Sequence, residues 1–495
     1  MSLHLYNTLS GMVEEFRPLH GNEVRMYACG PTVYDYGHIG NFRTFVAVDL
    51  LNRFLRQSRY DVHYVMNITD VDDKIIRNAA RDGLSVRQYT APYDKAFQED
   101  SALLNIRQPE SMPHATDYID AMAKCVADLE QKGFAYRTED GSYYFRIAKF
   151  AGYGKLSKRD FAGMTDGARV DVDEYEKDSA RDFALWKAPK PGEASWDTVI
   201  GPGRPGWHLE CSVMSMAALG ETLDIHAGGE DLAFPHHENE IAQSEALTGK
   251  PFARFWMHAR FLLVEGEKMS KSSGNFFTPR DLVLKGFKPS WIRYLLTSVP
   301  YRNQLNFTFD GLRQAAASVE RLRNFRQRLT EGSFPDGEDA ELRKMAEDAA
   351  ARMKSALEDD LNTAQAQAAI FEMVRAGNVA MDGGPMRKAN AAPFLGVLGK
   401  FDEIFAVLHD DDAAKMRQIL GWAKTAGREN DISPELLALA GASGPTDEEV
   451  ARKIAEMEQA RKAKNFAASD QLRAELTAAG IVVEITKDGA RWKRK

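Results

Sequence analysis

Glu23-Val24-Arg25-Met26-Tyr27-Ala28-Cys29 is a short β-rich run that ends in the turn Gly30-Pro31-Thr32. From about Asn41 to Arg56 the apolar residues Phe42, Phe45, Val46, Val48, Leu50, Leu51 and Phe54 recur at helical spacing. His63-Tyr64-Val65-Met66-Asn67-Ile68 is β-rich again. Strand, helix and strand within so short a stretch make a βαβ unit, which requires a parallel sheet. Gly37-His38-Ile39-Gly40-Asn41 then falls beyond a strand's carboxyl end, entering a helix. Open α/β sheets bind ligands at that position.

Working outward, the pattern changes between 113 and 194. A helix over Tyr118–Gly133, a hairpin over Tyr136–Ile147 and a charged stretch around Asp171–Asp182 predict an insertion that interrupts the sheet domain. The α/β pattern resumes with Trp207–Gly220, the run Leu223-Asp224-Ile225-His226, a helix over Phe234–Leu247 and strand-like Arg254–His258. Helical periodicity dominates from Pro289 onward, with a linker at Thr330–Asp339 and amphipathic helices from Ala340 to about Leu408. A second break at Gly441-Ala442-Ser443-Gly444-Pro445 precedes a helical pair and a strand over Ile481–Ile485.

The expected architecture is therefore α/β. A Rossmann-like catalytic domain in two halves (1–112 and 195–260) carries a connective insertion (113–194). A region at 261–315 follows, then an α-helical bundle (316–410) and a small C-terminal α+β domain (411–495).

Past the middle of the chain stands Lys268-Met269-Ser270-Lys271-Ser272, followed by Ser273-Gly274-Asn275. Gly37 and Gly40 permit close backbone approach, and helix N-terminal N–H groups attract anions. His38 can donate to a phosphate oxygen as charge develops, while Lys268 and Lys271 bring positive charge on a loop under which Met269 can pack. The two motifs, in this order, resemble the H-I-G-H and K-M-S-K-S signatures of class I aminoacyl-tRNA synthetases. The resemblance implies ATP contacts from Gly37, His38, Gly40, Asn41, Lys268, Met269, Ser270, Lys271 and Ser272, with His38, Asn41, Lys268 and Lys271 as the catalytic set. Asn41 stands where the signature has a second histidine. It can hydrogen-bond but cannot carry charge, so its role is supporting.

Cys29, Cys211, His236 and Glu240 form a second constellation. His236 and Glu240 lie four apart in Phe234-Pro235-His236-His237-Glu238-Asn239-Glu240, on one face of a helix, whereas His237 at that spacing pairs with Ile241. Cys29 ends a strand, and Cys211 is expected at a second strand's end on the same sheet edge. Two thiolates, an imidazole and a carboxylate suit Zn²⁺. The ordinary alternative is a pair of small buried cysteines beside a surface His/Glu hydrogen bond.

Four segments narrow the resemblance to the cysteinyl-tRNA synthetase family. They are Cys29 to Asn41, Asn67-Ile68-Thr69-Asp70-Val71-Asp72-Asp73-Lys74, Gly203 to Ser212, and Phe234 to Glu240. The likeness extends to Arg461-Lys462-Ala463-Lys464-Asn465-Phe466 and the closing Arg491-Trp492-Lys493. It implies a cysteine–tRNA ligase: L-cysteine and MgATP give cysteinyl-adenylate and pyrophosphate, and the acyl group then moves to the terminal ribose of tRNA(Cys). It further implies one zinc that ligates the substrate thiol, a cysteine pocket lined by Thr69, Trp207 and His226, and stem and anticodon contacts from the C-terminal half. Serine and cysteine differ by one atom of similar shape, too little for a steric pocket to separate well. A thiolate ligates zinc far better than a hydroxyl, so no editing domain is expected and the insertion is read as structural or acceptor-arm binding.

Asp70, Asp72 and Asp73 admit a Mg²⁺ reading, but acidic residues opening a helix before Lys74-Ile75-Ile76 is the better one. Mg²⁺ is expected on the ATP phosphates. Glu230 and Asp231, after Gly228-Gly229, could face the ATP ribose or the substrate ammonium.

A hydrophobic share of 44 %, a charged share of 27 % and three cysteines fit a soluble globular chain in a reducing compartment, with no membrane span. The expectation is a cytoplasmic monomer. Net charge is −8, yet Ala451–Lys495 holds eleven Lys/Arg against six Asp/Glu, a local +5 suited to RNA. Trp492 offers either a stacking surface for unpaired bases or a cap on a small core. Two rivals stand. A ligase joining cysteine to an amino sugar would lack so long a C-terminal half, and a non-catalytic relative is suggested only by Asn41.

Overall fold

In a computed structural model, residues 2–158, 182–440, 447–486 and 489–494 are described. The charged stretch Asp171–Asp182, apart from its last residue, and the break at 441–445 fall outside them. The expected βαβ unit is present. Strands Glu23–Ala28 and Asp61–Met66 pair in parallel around the helix Ile39–Gln57. Leu223–Gly229 and Ala253–Ala259 complete a four-stranded sheet, all neighbours parallel. In space the order is Ala253–Ala259, Leu223–Gly229, Glu23–Ala28, Asp61–Met66. The connection therefore reverses between Glu23–Ala28 and Leu223–Gly229, and the carboxyl ends of those two strands open the crevice in which α/β sheets hold ligands. The central strand Leu223–Gly229 is buried on both faces, as a parallel strand between helical layers must be, and Glu23–Ala28 and Asp61–Met66 become so toward their carboxyl ends.

The inserted segment opens with the helix Ile119–Gln131. Strands Ala135–Arg137, Tyr143–Phe145, Phe183–Lys187 and Arg204–Pro205 follow as an antiparallel sheet, so the sheet closes just before the helix Trp207–Leu219. That helix is buried on nearly every side, as is His236–Thr248, which explains why neither shows an amphipathic period.

Beyond the sheet, helices Pro279–Leu284, Pro289–Leu296, Phe309–Glu331, Ala340–Glu358, Thr363–Gly383 and Lys388–Phe405 share a continuous apolar core with the helix Ile39–Gln57. Buried Arg293 fastens the two halves. It donates to Asp49 at 2.5 Å and to the carbonyls of Leu104 and Phe405. Removing one partner of such a pair leaves a buried charge unpaired, at a cost of roughly 3–5 kcal/mol. At the C-terminus, Asp447–Lys462 and Phe466–Ala478 pack on the hairpin Ile481–Thr486/Gly489–Arg494, one strand more than the sequence suggested. Trp492 is half-buried against the small core of Val450, Ile454, Met457 and Leu476. This favours the capping reading of that tryptophan.

Candidate active site and metal centre

The helix Ile39–Gln57 starts two residues earlier than the periodicity suggests, because His38 and Asn41 close a reciprocal cap. The Asn41 backbone N–H donates to His38 Nδ1 and the His38 N–H donates to Asn41 Oδ1, both at 3.1 Å. The Asn41 side-chain oxygen thus acts as an acceptor for the His38 backbone. With Nδ1 accepting, the neutral His38 ring carries its proton on Nε2, which can donate outward. Burial pulls the His38 pKa down and the Asp231 carboxylate opposes this. A Cβ on Gly40 would lie 2.9 Å from the His38 ring and 3.1 Å from the Met269 methyl. The close approach that glycine permits is thus used by the chain's own Lys268–Ser272 loop. Met269 packs there, partly buried against the core.

Lys268 closes the short strand Glu267–Lys268 paired to Leu262–Val264. The rest of the loop braces itself. Ser270 N–H donates to Asn275 Oδ1 at 2.8 Å, Ser270 Oγ bonds Ser273 Oγ at 2.7 Å, and Asn275 returns a bond to the Lys268 carbonyl. Lys271 reaches back to the Asp35 carboxylate and lies 5.1 Å from the centre of the Phe276 ring, which itself packs on His38. The sequence motifs thus meet in space.

The four predicted metal donors also meet. Cys29 Sγ is 3.6 Å from Cys211 Sγ and 3.6 Å from Glu240 Oε1, and His236 Nε2 is 3.0 Å from the same oxygen. All four are buried, and their ligand atoms lie within 4.8 Å of one another, a set that could hold a metal ion. Two expectations need correction. Cys211 is not at a strand end. It sits in the first turns of the helix Trp207–Leu219, so the donors come from one strand end and two helices. His237 does not turn away with Ile241. Three residues before Glu240 it shares the same helix face, and its Nε2 stands 3.3 Å from Cys29 Sγ. Cys29, His226, His237 and Glu240 therefore make a second possible donor set that shares Cys29 and Glu240 with the first.

The predicted set is strongly charge-coupled. Burial alone would raise the Cys211 pKa, but the Cys29 thiol and His236 bring it down to about 6. Burial would lower that of His236, but Glu240 and Cys211 lift it to about 10. Against its own burial, Glu240 is held at about 2 by His226 and His236. Cys29 is pushed well up by burial. The shifts favour the anions of Cys211 and Glu240, the cation of His236 and the neutral thiol of Cys29. A cation can take the place of the two protons, as metal uptake with proton release requires. In the second set, burial drives His237 well down and so keeps its imidazole neutral, the form that ligates. What favours the predicted set is its donors: it has two sulfurs where the second has one, and sulfur is the softer donor.

The expected cysteine-pocket residues surround this group. Trp207, 41 % exposed, stacks on His236 at 4.3 Å. Thr69 donates to Glu210 Oε2 at 2.9 Å, one residue before Cys211. His226 is fully buried, bonds Glu240 Oε2 at 2.8 Å and stacks on Trp256. It reaches the group from behind, through Glu240. The acidic residues behave as a helix start. Asp72 caps Asp73–Asp82 by accepting from the Ile75 N–H, Asp73 pairs with Arg204, and Asp70 accepts from Thr116. Glu230 accepts from the Phe261 N–H.

Comparison with known proteins places the chain in a family. Residues 15–317 match the tRNA synthetases class I (C) catalytic domain, and residues 352–409 match the DALR domain. The cysteine–tRNA ligase of Koribacter versatilis (strain Ellin345) is 64 % identical over 495 residues, covering 100 % of both chains. The chain belongs to the cysteine–tRNA ligase family of class I synthetases. The cysteine–tRNA ligase of Solibacter usitatus (strain Ellin6076) is 54 % identical, again over 100 % of both chains. Among solved structures, Mycobacterium tuberculosis methionyl-tRNA synthetase in complex with methionyl-adenylate superposes with a TM-score of 0.57 at 17 % identity. The match covers 85 % of this chain and 96 % of that one, and it shows the shared fold. Membership of a synthetase family implies ATP, an amino acid and a tRNA as substrates. Among the described residues no helix is long and apolar enough to cross a membrane.

For this synthetase the sequence reading passed over several neighbours. His208 Nδ1 lies 3.0 Å from His236 Nδ1, fixing the ring from the side away from Glu240. Its signal was available, since His208 precedes Cys211 by three on one helix face. Asn67 accepts the Gly30 N–H and sits 3.6 Å from Cys211 Sγ. No spacing rule could have found that contact. Cys125 is a buried thiol pushed up to about 12 by burial.

Proposed function

We propose that this chain activates L-cysteine with MgATP to cysteinyl-adenylate and pyrophosphate and transfers cysteine to the 3′-terminal ribose of tRNA(Cys), with one zinc held by Cys29, Cys211, His236 and Glu240. The observation that carries the reading is the buried pair of thiols set against His236 and Glu240 at the crevice that the two nucleotide motifs flank. When bound, zinc would supply a soft Lewis acid that favours a thiolate over a hydroxyl. Around it, Trp207 and Thr69 would line the cysteine pocket, and His226 would hold Glu240 in place. His38 Nε2–H would donate to the phosphates, and the ammonium groups of Lys268 and Lys271 would neutralise them, as the cysteine carboxylate attacks. This is the electrostatic work that phosphoryl-centred reactions demand. Gly37, Gly40, Met269, Ser270 and Ser272 would shape the nucleotide seat, with Asn41 supporting His38.

On this reading residues 1–112 and 195–260 form the catalytic domain, 113–194 the connective insertion and 261–315 the stem-contact region. Residues 316–410 and 411–495 then form the bundle and the anticodon-binding domain. Buried free thiols suit the cytoplasm, and a monomer suffices because the site draws on one chain. The test is ATP–pyrophosphate exchange with cysteine and with serine, on native and zinc-stripped protein. The expected outcome is exchange with cysteine alone, lost on stripping and restored by Zn²⁺. Equal activation of serine by the native protein would defeat the selection argument.

A further inference from the structure

The contact between Lys271 and Asp35 has no part in the chemistry proposed above, yet it sets where the loop lysine rests. Asp35 belongs to the turn between Cys29 and His38. Its Oδ1 accepts the Tyr36 N–H at 2.8 Å, and its Oδ2 holds the Lys271 ammonium. The turn is itself anchored. The Tyr36 ring packs edge-on against Tyr93 at 5.6 Å and Trp422 at 5.7 Å, and the Arg280 guanidinium lies over both Tyr36 and Trp422. Arg280 is fixed in turn by Asp100 at 2.6 Å and Glu99 at 2.8 Å. A carboxylate on a braced turn thus meets an ammonium on a loop that also touches the His38–Asn41 turn through the Met269 methyl and Phe276, and just beyond it the Phe277 carbonyl accepts the Ile39 N–H at 2.9 Å. The two charged groups are partly open to solvent, 34 % and 66 % exposed, so a competing anion can reach them.

We propose that Asp35 is a positioning residue for Lys271. Its carboxylate stands in for the ATP phosphates, keeping the Lys268–Ser272 loop seated on the His38–Asn41 turn until MgATP takes the lysine away. The proposal rests on the reading of Lys271 as a phosphate ligand. Because the pair must break before Lys271 can serve the nucleotide, Asp35 weakens ATP binding by the strength of that pair. An exposed pair of this kind shifts an equilibrium by up to about fivefold.

The test is equilibrium binding of MgATP to the full chain, without cysteine, for the native protein, Asp35→Asn and Asp35→Glu. Asp35→Asn is expected to bind about two to five times more tightly at low ionic strength. That gain should vanish near 1 M salt, where the screening length falls to about 3 Å. Asp35→Glu keeps the charge and should stay with the native protein. Without nucleotide, trypsin should cut after Lys271 faster in Asp35→Asn. Should that variant not be recovered, Asp35→Ser carries the same comparison. Binding that is unchanged or weaker in the neutral variant, or a gain that survives high salt, overturns the proposal. Weaker binding would instead mark Asp35 as a ligand of the bound magnesium. Cysteine-dependent pyrophosphate exchange by the native protein, measured alongside, reports separately on whether the adenylation reading itself stands.

Discussion

On the proposed reading, the buried donor group and the Lys268–Ser272 loop would serve one reaction from opposite physical states. Cys29, Cys211, His236 and Glu240 are sunk in the core, each gripped by neighbours such as Asn67, His208 and His226. Lys268 and Lys271 are exposed, on a loop braced chiefly by its own serines and Asn275. Discrimination between a thiol and a hydroxyl needs donors that cannot relax to suit the wrong ligand, so rigidity and burial favour it. Neutralising phosphates that arrive and then leave as pyrophosphate needs charge that can follow them. A lysine on an exposed loop is suited to that.

The largest effect should come from breaking the rigid side. Cys211→Ser removes one of the two sulfurs. It should cut zinc content and reduce cysteine-dependent pyrophosphate exchange by more than about 100-fold, beyond the roughly 10- to 100-fold that changes outside the ligand shell bring. Metal analysis of His237→Ala sharpens the result. That variant should keep its zinc. If it loses the metal while Cys211→Ser retains it, the ion belongs to the set of Cys29, His226, His237 and Glu240.

On the mobile side, Lys271→Ala should lower the exchange rate by about 10²–10³-fold, the usual loss when one donor to developing charge is removed. Zinc content should not change. A variant that lost both would show the two regions to be mechanically one unit.

The smallest effect tests the departure from the family signature. Asn41→His should alter the rate of adenylate formation by less than about tenfold, or ~1.4 kcal/mol. The Asn41 side chain caps the His38 backbone and leaves the outward Nε2–H to His38. An acceleration beyond tenfold would place Asn41 at the reacting phosphates.

The order of the two motifs, the βαβ opening and the residue types of one candidate donor set were all legible in the sequence. Each depends on residue type or on spacing within one element. His236 and Glu240 illustrate this, since four residues on a helix fix their relation without any knowledge of the fold. Cys29 and Cys211 illustrate the opposite. Spacing cannot say whether two cysteines so far apart come within 3.6 Å, and it misplaced Cys211 at a strand edge. The helix that bears Cys211 is buried on nearly every side, polar His208, Glu210 and Ser212 included, and shows no period to read.

His208, turned onto His236, and Asp35, turned onto Lys271, are likewise products of packing between separate elements. Local sequence determines which side chains share a face. Which faces confront one another is decided by how the crossovers stack helices on the sheet, because only there do distant segments exclude water together.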